Sequence, residues 1–167
     1  ITRALRLGYV SRNPVFQDLI AHCSRPGRTL HLLGLVSDGG VHSSIGHLKG
    51  LLSMKEMKAL SRVAVHVFTD GRDTDPHSGC GFVRDLEAHL RKTRVGRIAS
   101  VVGRYYAMDR DKRWDRVQQA YNLLVKGEGR RFDDAESGLL ASYAADVTDE
   151  FVKPFYLGEQ PQTIKPG

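Results

Sequence analysis

Short apolar runs alternate with amphipathic segments along this chain, and that order constrains the fold more than any other feature. Nearly continuous apolar runs, typical of strands buried on both faces, occupy residues 29–36, 62–68 and 97–102. Apolar residues recur every three or four positions, as in amphipathic helices, over residues 45–60, 81–91 and 114–125. Strands that alternate with helices pair in parallel through right-handed crossovers. We therefore predict an α/β fold in which a layered, mainly parallel sheet is flanked by helices.

The remaining segments give weaker patterns. Residues 5–23 are predicted to be helical with a break at 8–14, and residues 133–145 are predicted to form a helix with an Asp-rich start. Thr148 is predicted to begin a short turn, and residues 158–167 read as a loop. In the helix that ends at Gly127, the predicted inward side chains are Trp114, Val117, Tyr121, Leu124 and Val125.

Composition narrows the class of protein. A length of 167 residues indicates one domain, and 26% charged with 41% hydrophobic residues excludes global disorder. The net charge of +6 favours negatively charged partners, without separating nucleic acids, membranes and small phosphates.

The chain has features of a soluble protein from a reducing compartment. Cys23 and Cys80 fit no zinc or disulfide spacing, and neither a signal peptide nor an 18-residue apolar run is present. We expect a cytoplasmic protein that neither spans nor anchors to a membrane. Because the chain begins at Ile1 rather than at a methionine, we expect it to be an excerpt of a longer one.

Three loops that follow the predicted strands combine glycines with titratable side chains, at residues 37–43, 69–74 and 103–110. In a parallel sheet, ligands bind beyond the carboxyl ends of the strands, where such loops converge. Glycine lets a backbone approach a ligand closely, and arginine forks suit carboxylate and phosphate groups. The three loops therefore predict one binding site for an anionic ligand.

Several of these residues also have ordinary structural explanations. Asp38 and Asp73 are typical of turn caps before or after glycine, and for Asp73 the two interpretations weigh equally. Arg104 and Arg110 are alternatively a solvated surface pair, whereas the position of His42 after two glycines favours a ligand-binding role.

Other polar residues are assigned to structure rather than function. We interpret Arg113 and Arg116 as surface residues, and His31 and His66 as hydrogen-bonded core histidines rather than metal ligands. Tyr105 and Tyr106 are equally consistent with packing and stacking, and residues 126–131 are interpreted as a solvated turn. Motifs for dinucleotides, nucleoside triphosphates, zinc proteases and the hydrolase nucleophile are absent, and no metal site is predicted.

Four segments together resemble the cofactor-independent phosphoglycerate mutases. They are SDGGVHS at 37–43, DGRDT at 70–74, VGRIASVVGRYYAMDRDKRWDR at 95–116 and TDEFVKP at 148–154. The resemblance covers nearly the whole chain and concerns one of that family's two α/β domains, the inserted phosphotransferase domain. It implies that residues 1–167 are a fragment of this domain, truncated at its C-terminal end, and that the metal-bearing phosphatase domain is absent from the chain.

The resemblance also assigns site residues. It implies that His42, Arg72, Asp73, Arg104 and Arg110 line the phosphoglycerate site. The arginines would hold the carboxylate and phosphate groups, and Asp73 would act as general acid and base at the glycerate hydroxyls. A phosphorylated hydroxy acid needs these groups on chemical grounds as well.

The implied reaction interconverts 3-phosphoglycerate and 2-phosphoglycerate through a phosphoserine on the other domain, which also holds two divalent ions, expected to be manganese. This fragment would bind no cofactor and would be inactive alone; its partners would be the two phosphoglycerates and the phosphatase domain of the same parent chain. Two alternatives remain. One is a basic nucleic-acid-binding module, against which the scattered basic residues argue, and the other is a phosphopentomutase-like inserted domain, against which the match at residues 104–116 argues.

Overall fold

A five-stranded sheet, in the order β1-β2-β3-β5-β4, forms the centre of the computed structural model, which describes residues 1–166. The strands are β1 (Leu30–Leu35), β2 (Val63–Thr69), β3 (Arg97–Gly103), β4 (Arg130–Phe132) and β5 (Phe155–Leu157). The helices are α1 (Thr2–Arg6), α2 (Pro14–Cys23), α3 (Ile45–Leu52), α4 (Gly79–Thr93), α5 (Arg104–Ala107), α6 (Trp114–Lys126) and α7 (Ala135–Tyr143). Two 3₁₀ turns lie at Lys55–Ala59 and Asp149–Phe151. The prediction of a mainly parallel α/β fold is confirmed.

The three strands predicted from the sequence form the parallel part of the sheet. β1 pairs with β2 and β2 with β3, so that Leu35, Phe68 and Val102 stand side by side near the carboxyl edge. All seven residues of β2 are buried, which agrees with a central strand covered on both faces.

The rest of the sheet departs from the prediction. β5 is antiparallel to β3 and parallel to β4, and the segment predicted as a solvated turn includes the first two residues of β4, the exposed Arg130 and Arg131. Each of these strands has only three residues, too few for an apolar alternation to stand out in the sequence.

Helices cover both faces of the sheet. On one face, α2, α3, α4 and α7 enclose a large core around fully buried residues such as Leu52, Leu86 and Leu139. On the other face, α5 and α6 pack Tyr106 and Leu123 against the sheet. Successive strand residues point to opposite faces, and this alternation separates the two cores.

Three helix predictions are wrong in detail. The helix predicted over 45–60 ends at Leu52 and a separate 3₁₀ turn follows. The loop predicted at 103–110 contains the short helix α5. In α6 the predicted inward residues Trp114 and Tyr121 are 71% and 55% exposed.

The inward side of α6 centres on Arg116, Ala120 and Leu123, and the predicted Leu124 also packs against the core there. Ala120 and Leu123 are buried against the sheet, and Arg116 stacks on the ring of Tyr105 in α5, 3.8 Å from its centre. Arg116 therefore belongs to the inward side of α6, which helical periodicity does not reveal because a charged residue interrupts the apolar pattern. The end of the helix at Gly127, in a left-handed conformation with φ 76°, is as predicted.

The core histidines are hydrogen-bonded as predicted. His31 Nδ1 lies 2.9 Å from His66 Nε2, and His66 Nδ1 lies 2.7 Å from Ser100 Oγ. Burial is the main cause that lowers the pKa of His66, to about 4, and the neighbouring His31 contributes less. The buried ring is therefore neutral near pH 7. Within residues 1–166, no helix has the length and apolar character needed to cross a membrane.

Candidate functional site

A cavity of about 260 Å³ opens where the loops after β1, β2 and β3 meet. Its lining includes all five residues selected from the sequence, which are His42, Arg72, Asp73, Arg104 and Arg110. These residues come from three loops that are separated along the chain. They meet because the carboxyl ends of parallel strands lie on one edge of a sheet.

Arg104 forms the base of the cavity. It follows β3 directly, is only 9% exposed, and donates from Nη1 to Asp70 Oδ1 and to Asp73 Oδ2, at 2.7 Å each. Burial opposes the charge of Arg104, but these two carboxylates outweigh it and raise the pKa of Arg104 above its ordinary value. A solvated surface role for Arg104 is therefore wrong.

Asp70 organises the loop that follows β2. Ser37 Oγ donates to Asp70 Oδ2 at 2.6 Å, and the backbone N–H groups of Arg72 and Asp73 donate to Oδ1 at 3.2 and 3.0 Å. Burial acts to raise the pKa of Asp70, but these hydrogen bonds and the one from Arg104 outweigh burial and lower the pKa. Asp70 was not among the residues selected from the sequence, because an Asp before glycine also suits an ordinary turn.

His42 lies above Asp73, with His42 Nε2 3.8 Å from Asp73 Oδ2. The two loops can approach this closely because residue 39 is glycine. A Cβ atom at Gly39 would lie 3.0 Å from Asp73 Cβ and 3.1 Å from the Asp73 carbonyl oxygen. The glycine that the sequence placed before His42 thus permits the contact between the loops.

Arg72 and Arg110 line the cavity from exposed positions. The side chain of Arg72 is 59% exposed, and its Nη1 lies 3.5 Å from Glu150 Oε1. Glu150 belongs to the TDEFVKP segment and also lines the cavity. Exposed guanidinium groups at the mouth of a cavity are available to an incoming anion.

Two further cavity residues, Asp109 and Arg116, were missed. Arg116 Nη1 lies 3.5 Å from Asp109 Oδ1, and Asp109 Oδ2 accepts from the backbone N–H groups of Asp111 and Arg113 at 3.2 and 2.9 Å. The interpretation of Arg116 as a solvated residue is wrong, because it stacks on Tyr105 and lines the cavity. No local pattern marks this pair in the sequence, because Asp109 lies in the loop before α6 and helical spacing does not apply to it.

Four further residues with two interpretations, or with a surface assignment, occupy distinct places in the structure. Asp38 is exposed and does not line the cavity, whereas Tyr105 lines it. Tyr106 is buried in the core beside α6. Arg113 is exposed at the start of α6 and lies outside the cavity lining, as predicted for a surface residue.

A larger cavity of about 440 Å³ lies beside β1. Its wall includes Leu33, Leu48 and Leu51, and none of the residues that line it is an arginine or lysine. An anion would lose its hydration there without gaining an arginine or lysine partner. The smaller cavity is the candidate functional site because it lies at the carboxyl edge of the parallel strands and collects four arginines.

The chemistry of the smaller cavity suits an anion that also carries a hydroxyl group. Four arginines supply positive forks, and the carboxylate of Asp73, beside the imidazole of His42, can exchange a proton with a hydroxyl group. The part of the chain that the structure describes contains no group of three or more His, Cys, Asp or Glu placed to share a metal ion.

Comparison with known proteins decides the family. The model of the family described as BPG-independent PGAM N-terminus matches residues 1–167. The chain belongs to this family. The resemblance found in the sequence motifs is thereby confirmed.

Related proteins agree with this assignment. The 2,3-bisphosphoglycerate-independent phosphoglycerate mutase of Myxococcus xanthus is 54% identical over 157 residues, which cover 94% of this chain and 31% of the relative. The enzyme of the same name from Bacteroides thetaiotaomicron is 45% identical over 167 residues, which cover 100% of this chain and 33% of the relative.

A solved structure shows the same fold. Phosphoglycerate mutase from Leishmania mexicana, crystallised at low cobalt concentration, superposes with a TM-score of 0.91 at 34% identity, covering 98% of this chain and 32% of that one. The chain thus spans about a third of the length of the curated relatives it matches.

Proposed function

We propose that this chain is the substrate-binding, phosphotransferase domain of a 2,3-bisphosphoglycerate-independent phosphoglycerate mutase, which interconverts 3-phosphoglycerate and 2-phosphoglycerate in the cytoplasm. The observation that supports this most is the meeting of His42, Arg72, Asp73, Arg104 and Arg110 around one cavity. The family and the names of the relatives support the same reaction.

Each side chain has a role in the proposal. Phosphoglycerate carries a carboxylate and a phosphate, and Arg72, Arg104 and Arg110 offer guanidinium forks to these two groups. Asp73 takes a proton from one glycerate hydroxyl group or returns it, while Arg104 holds the side-chain carboxylate of Asp73 in place. His42, 3.8 Å from Asp73, closes the cavity on the side of the first loop.

The remaining chemistry belongs to a second domain in this proposal. A serine there accepts the phosphoryl group and returns it to the other hydroxyl of glycerate, and two divalent ions, expected to be manganese, support that transfer. Residues 1–166 offer no donor set for such ions. The domain described here holds the glycerate and lets it reorient between the two steps, which is a contribution of proximity and orientation.

Alanine variants of two neighbouring arginines, made in the full-length protein, test the proposal. Arg110 and Arg113 are both exposed and three residues apart, but only Arg110 lines the cavity. Arg110→Ala should lower kcat/KM for 3-phosphoglycerate by about tenfold or more, because a hydrogen bond to a charged group is lost. Arg113→Ala should stay within about twofold of the wild type, as expected for a surface residue.

The measurement is the formation of 2-phosphoglycerate in an enolase-coupled assay. Equal kcat/KM values for the two variants would contradict the proposed site. A full-length protein with no mutase turnover under any metal condition would contradict the proposed reaction.

A further inference from the structure

Asp70 connects all three loops of the candidate site. Its carboxylate accepts from Ser37 in the loop after β1, from two backbone N–H groups in its own loop and from Arg104 at the end of β3. The side chain is 2% exposed, so it has no direct access to a ligand. Its hydrogen bonds therefore act on the neighbouring residues of the site.

The most informative of these contacts is shared. Arg104 Nη1 donates both to Asp70 Oδ1 and to Asp73 Oδ2 at 2.7 Å, and within residues 1–166 these are the two hydrogen bonds of the Arg104 side chain. Asp73 is 18% exposed and lines the cavity. Asp70, held by three further donors, thus fixes where one end of the guanidinium group lies.

Arg104 has an alternative arrangement that Asp70 opposes. Guanidinium and carboxylate groups commonly pair through two parallel hydrogen bonds. Without Asp70, Arg104 would be free to form such a pair with Asp73. The guanidinium group would then be unavailable to an anion, and the Asp73 carboxylate would be unavailable for proton exchange.

We propose that Asp70 is a positioning residue that keeps the guanidinium group of Arg104 turned toward the cavity and prevents it from forming a two-bond pair with Asp73. The inference rests on the proposed function, in which Arg104 binds an anionic group of the substrate. Asp70 acts through Arg104 and touches no ligand itself.

Electrostatics alone predicts the opposite effect on binding. Asp70 is a negative charge beside an anion site, so removal of that charge alone would strengthen the binding of an anion. Asp70→Asn and Asp70→Ala remove the same charge. Only Asn keeps the shape and one carbonyl oxygen that can accept from Arg104 Nη1 and from the loop N–H groups.

The test is an NMR titration of the wild-type chain and both variants with inorganic phosphate and, separately, with 3-phosphoglycerate. We expect Asp70→Asn to bind phosphate within about twofold of the wild type or more tightly, and Asp70→Ala to bind it about tenfold more weakly. The Arg104 Nε–H signal should keep its position in Asp70→Asn and move in Asp70→Ala. The control is Asp133, whose side chain is 82% exposed and pairs with Arg131, and there Asn and Ala should have equal effects.

Either of two results would overturn the proposal: phosphate binding in Asp70→Ala as tight as in Asp70→Asn, or an unchanged Arg104 signal in Asp70→Ala. If Asp70→Ala does not fold, Asp70→Ser also removes the carboxylate that accepts from Arg104 Nη1, and an unchanged Arg104 signal there would overturn the proposal. If the wild type binds phosphate but not 3-phosphoglycerate, the proposed function fails while the Asn and Ala comparison still decides the role of Asp70. If the wild type binds neither ligand, the position of the Arg104 Nε–H signal in the two variants still decides the role of Asp70.

Discussion

At the scale of single residues, Asp73 is the group on which the proposed chemistry depends. It lies between Arg104 and His42 at the wall of the cavity. Asp73→Asn in the full-length protein should lower kcat by about 10²–10⁴-fold, because general acid–base assistance is lost. KM should change little, since Asn keeps the shape and an oxygen that can accept from Arg104.

Steady-state kinetics with 3-phosphoglycerate measures this effect. The matched control is Asp75→Asn, because Asp75 lies in the same loop, is exposed and does not line the cavity. An Asp73→Asn enzyme with the kcat of the wild type would exclude the acid–base role.

His66 predicts a pH dependence of stability. Its pKa is lowered from 6.5 to about 4 in the folded chain, so below pH 6.5 the unfolded chain binds a proton more readily than the folded one. The stabilisation is fully present above pH 6.5 and is lost as the pH falls toward 4, by about 3 kcal/mol at most.

Urea denaturation between pH 7 and pH 4 measures this loss as a change in the free energy of unfolding. His66→Gln keeps polar groups near His31 and Ser100 but does not titrate in this range. It should therefore lose less stability than the wild type over the same interval. Parallel curves for the two proteins would show that His66 is not the titrating group.

At the scale of the elements, a glycine sets the distance between the loop after β2 and the 3₁₀ turn at Asp149–Phe151. Gly71 has φ 66°, and a Cβ atom there would lie 2.7 Å from the backbone nitrogen of Glu150 and 2.8 Å from Asp149 Cβ. Gly71→Ala should lower the free energy of unfolding by about 2 kcal/mol or more, through backbone strain and the displaced turn.

Gly81→Ala is the matched control for this prediction. Gly81 is exposed in α4, and a Cβ atom there would have no neighbour within 4 Å. Because glycine is unfavourable within a helix, this change should raise the free energy of unfolding by about 0.5–1 kcal/mol. The same sign of change for both variants in chemical denaturation would contradict the account of the loop.

How much the sequence predicts depends on the element. β1 to β3 were found because each is a long apolar run, and α7 because Asp134 caps its first turn by accepting from the Ser137 N–H. β4 and β5 were missed because pairing between distant short segments, rather than local pattern, defines them. The inward side of α6 was predicted only in part: Leu124 packs against the core as predicted, whereas Trp114 and Tyr121 are exposed and Arg116 stacks on Tyr105.

At the scale of the whole molecule, parallel topology explains why the five selected residues meet. Loops after neighbouring parallel strands share one edge of the sheet, so their general location followed from the strand pattern. Asp70 and Arg116 did not follow, because a turn aspartate and a helix arginine have ordinary explanations until the tertiary contacts are known.

The division of the reaction between two domains predicts that this chain has no mutase or phosphatase activity alone. Its described residues supply the anion-binding groups but no metal donor set, and the proposed serine belongs elsewhere. The assay is an enolase-coupled measurement with manganese present. Turnover by homogeneous material, after contamination is excluded, would contradict the division.

The central claim is that the cavity formed by the three loops binds phosphoglycerate. An NMR titration of the chain with 3-phosphoglycerate tests it most directly, because backbone amide shifts report the place of binding. In the proposed enzyme a second domain also faces the substrate, and without that domain the bound anion stays partly solvated. We therefore expect a Kd of about 1 mM or weaker.

The shifts should lie at residues 39–43, 71–74 and 103–110, should compete with sulfate, and should be reduced in Arg104→Ala. If phosphoglycerate instead produced no shifts while duplex DNA produced salt-sensitive shifts over residues 126–131, the claim would be contradicted in favour of nucleic-acid binding.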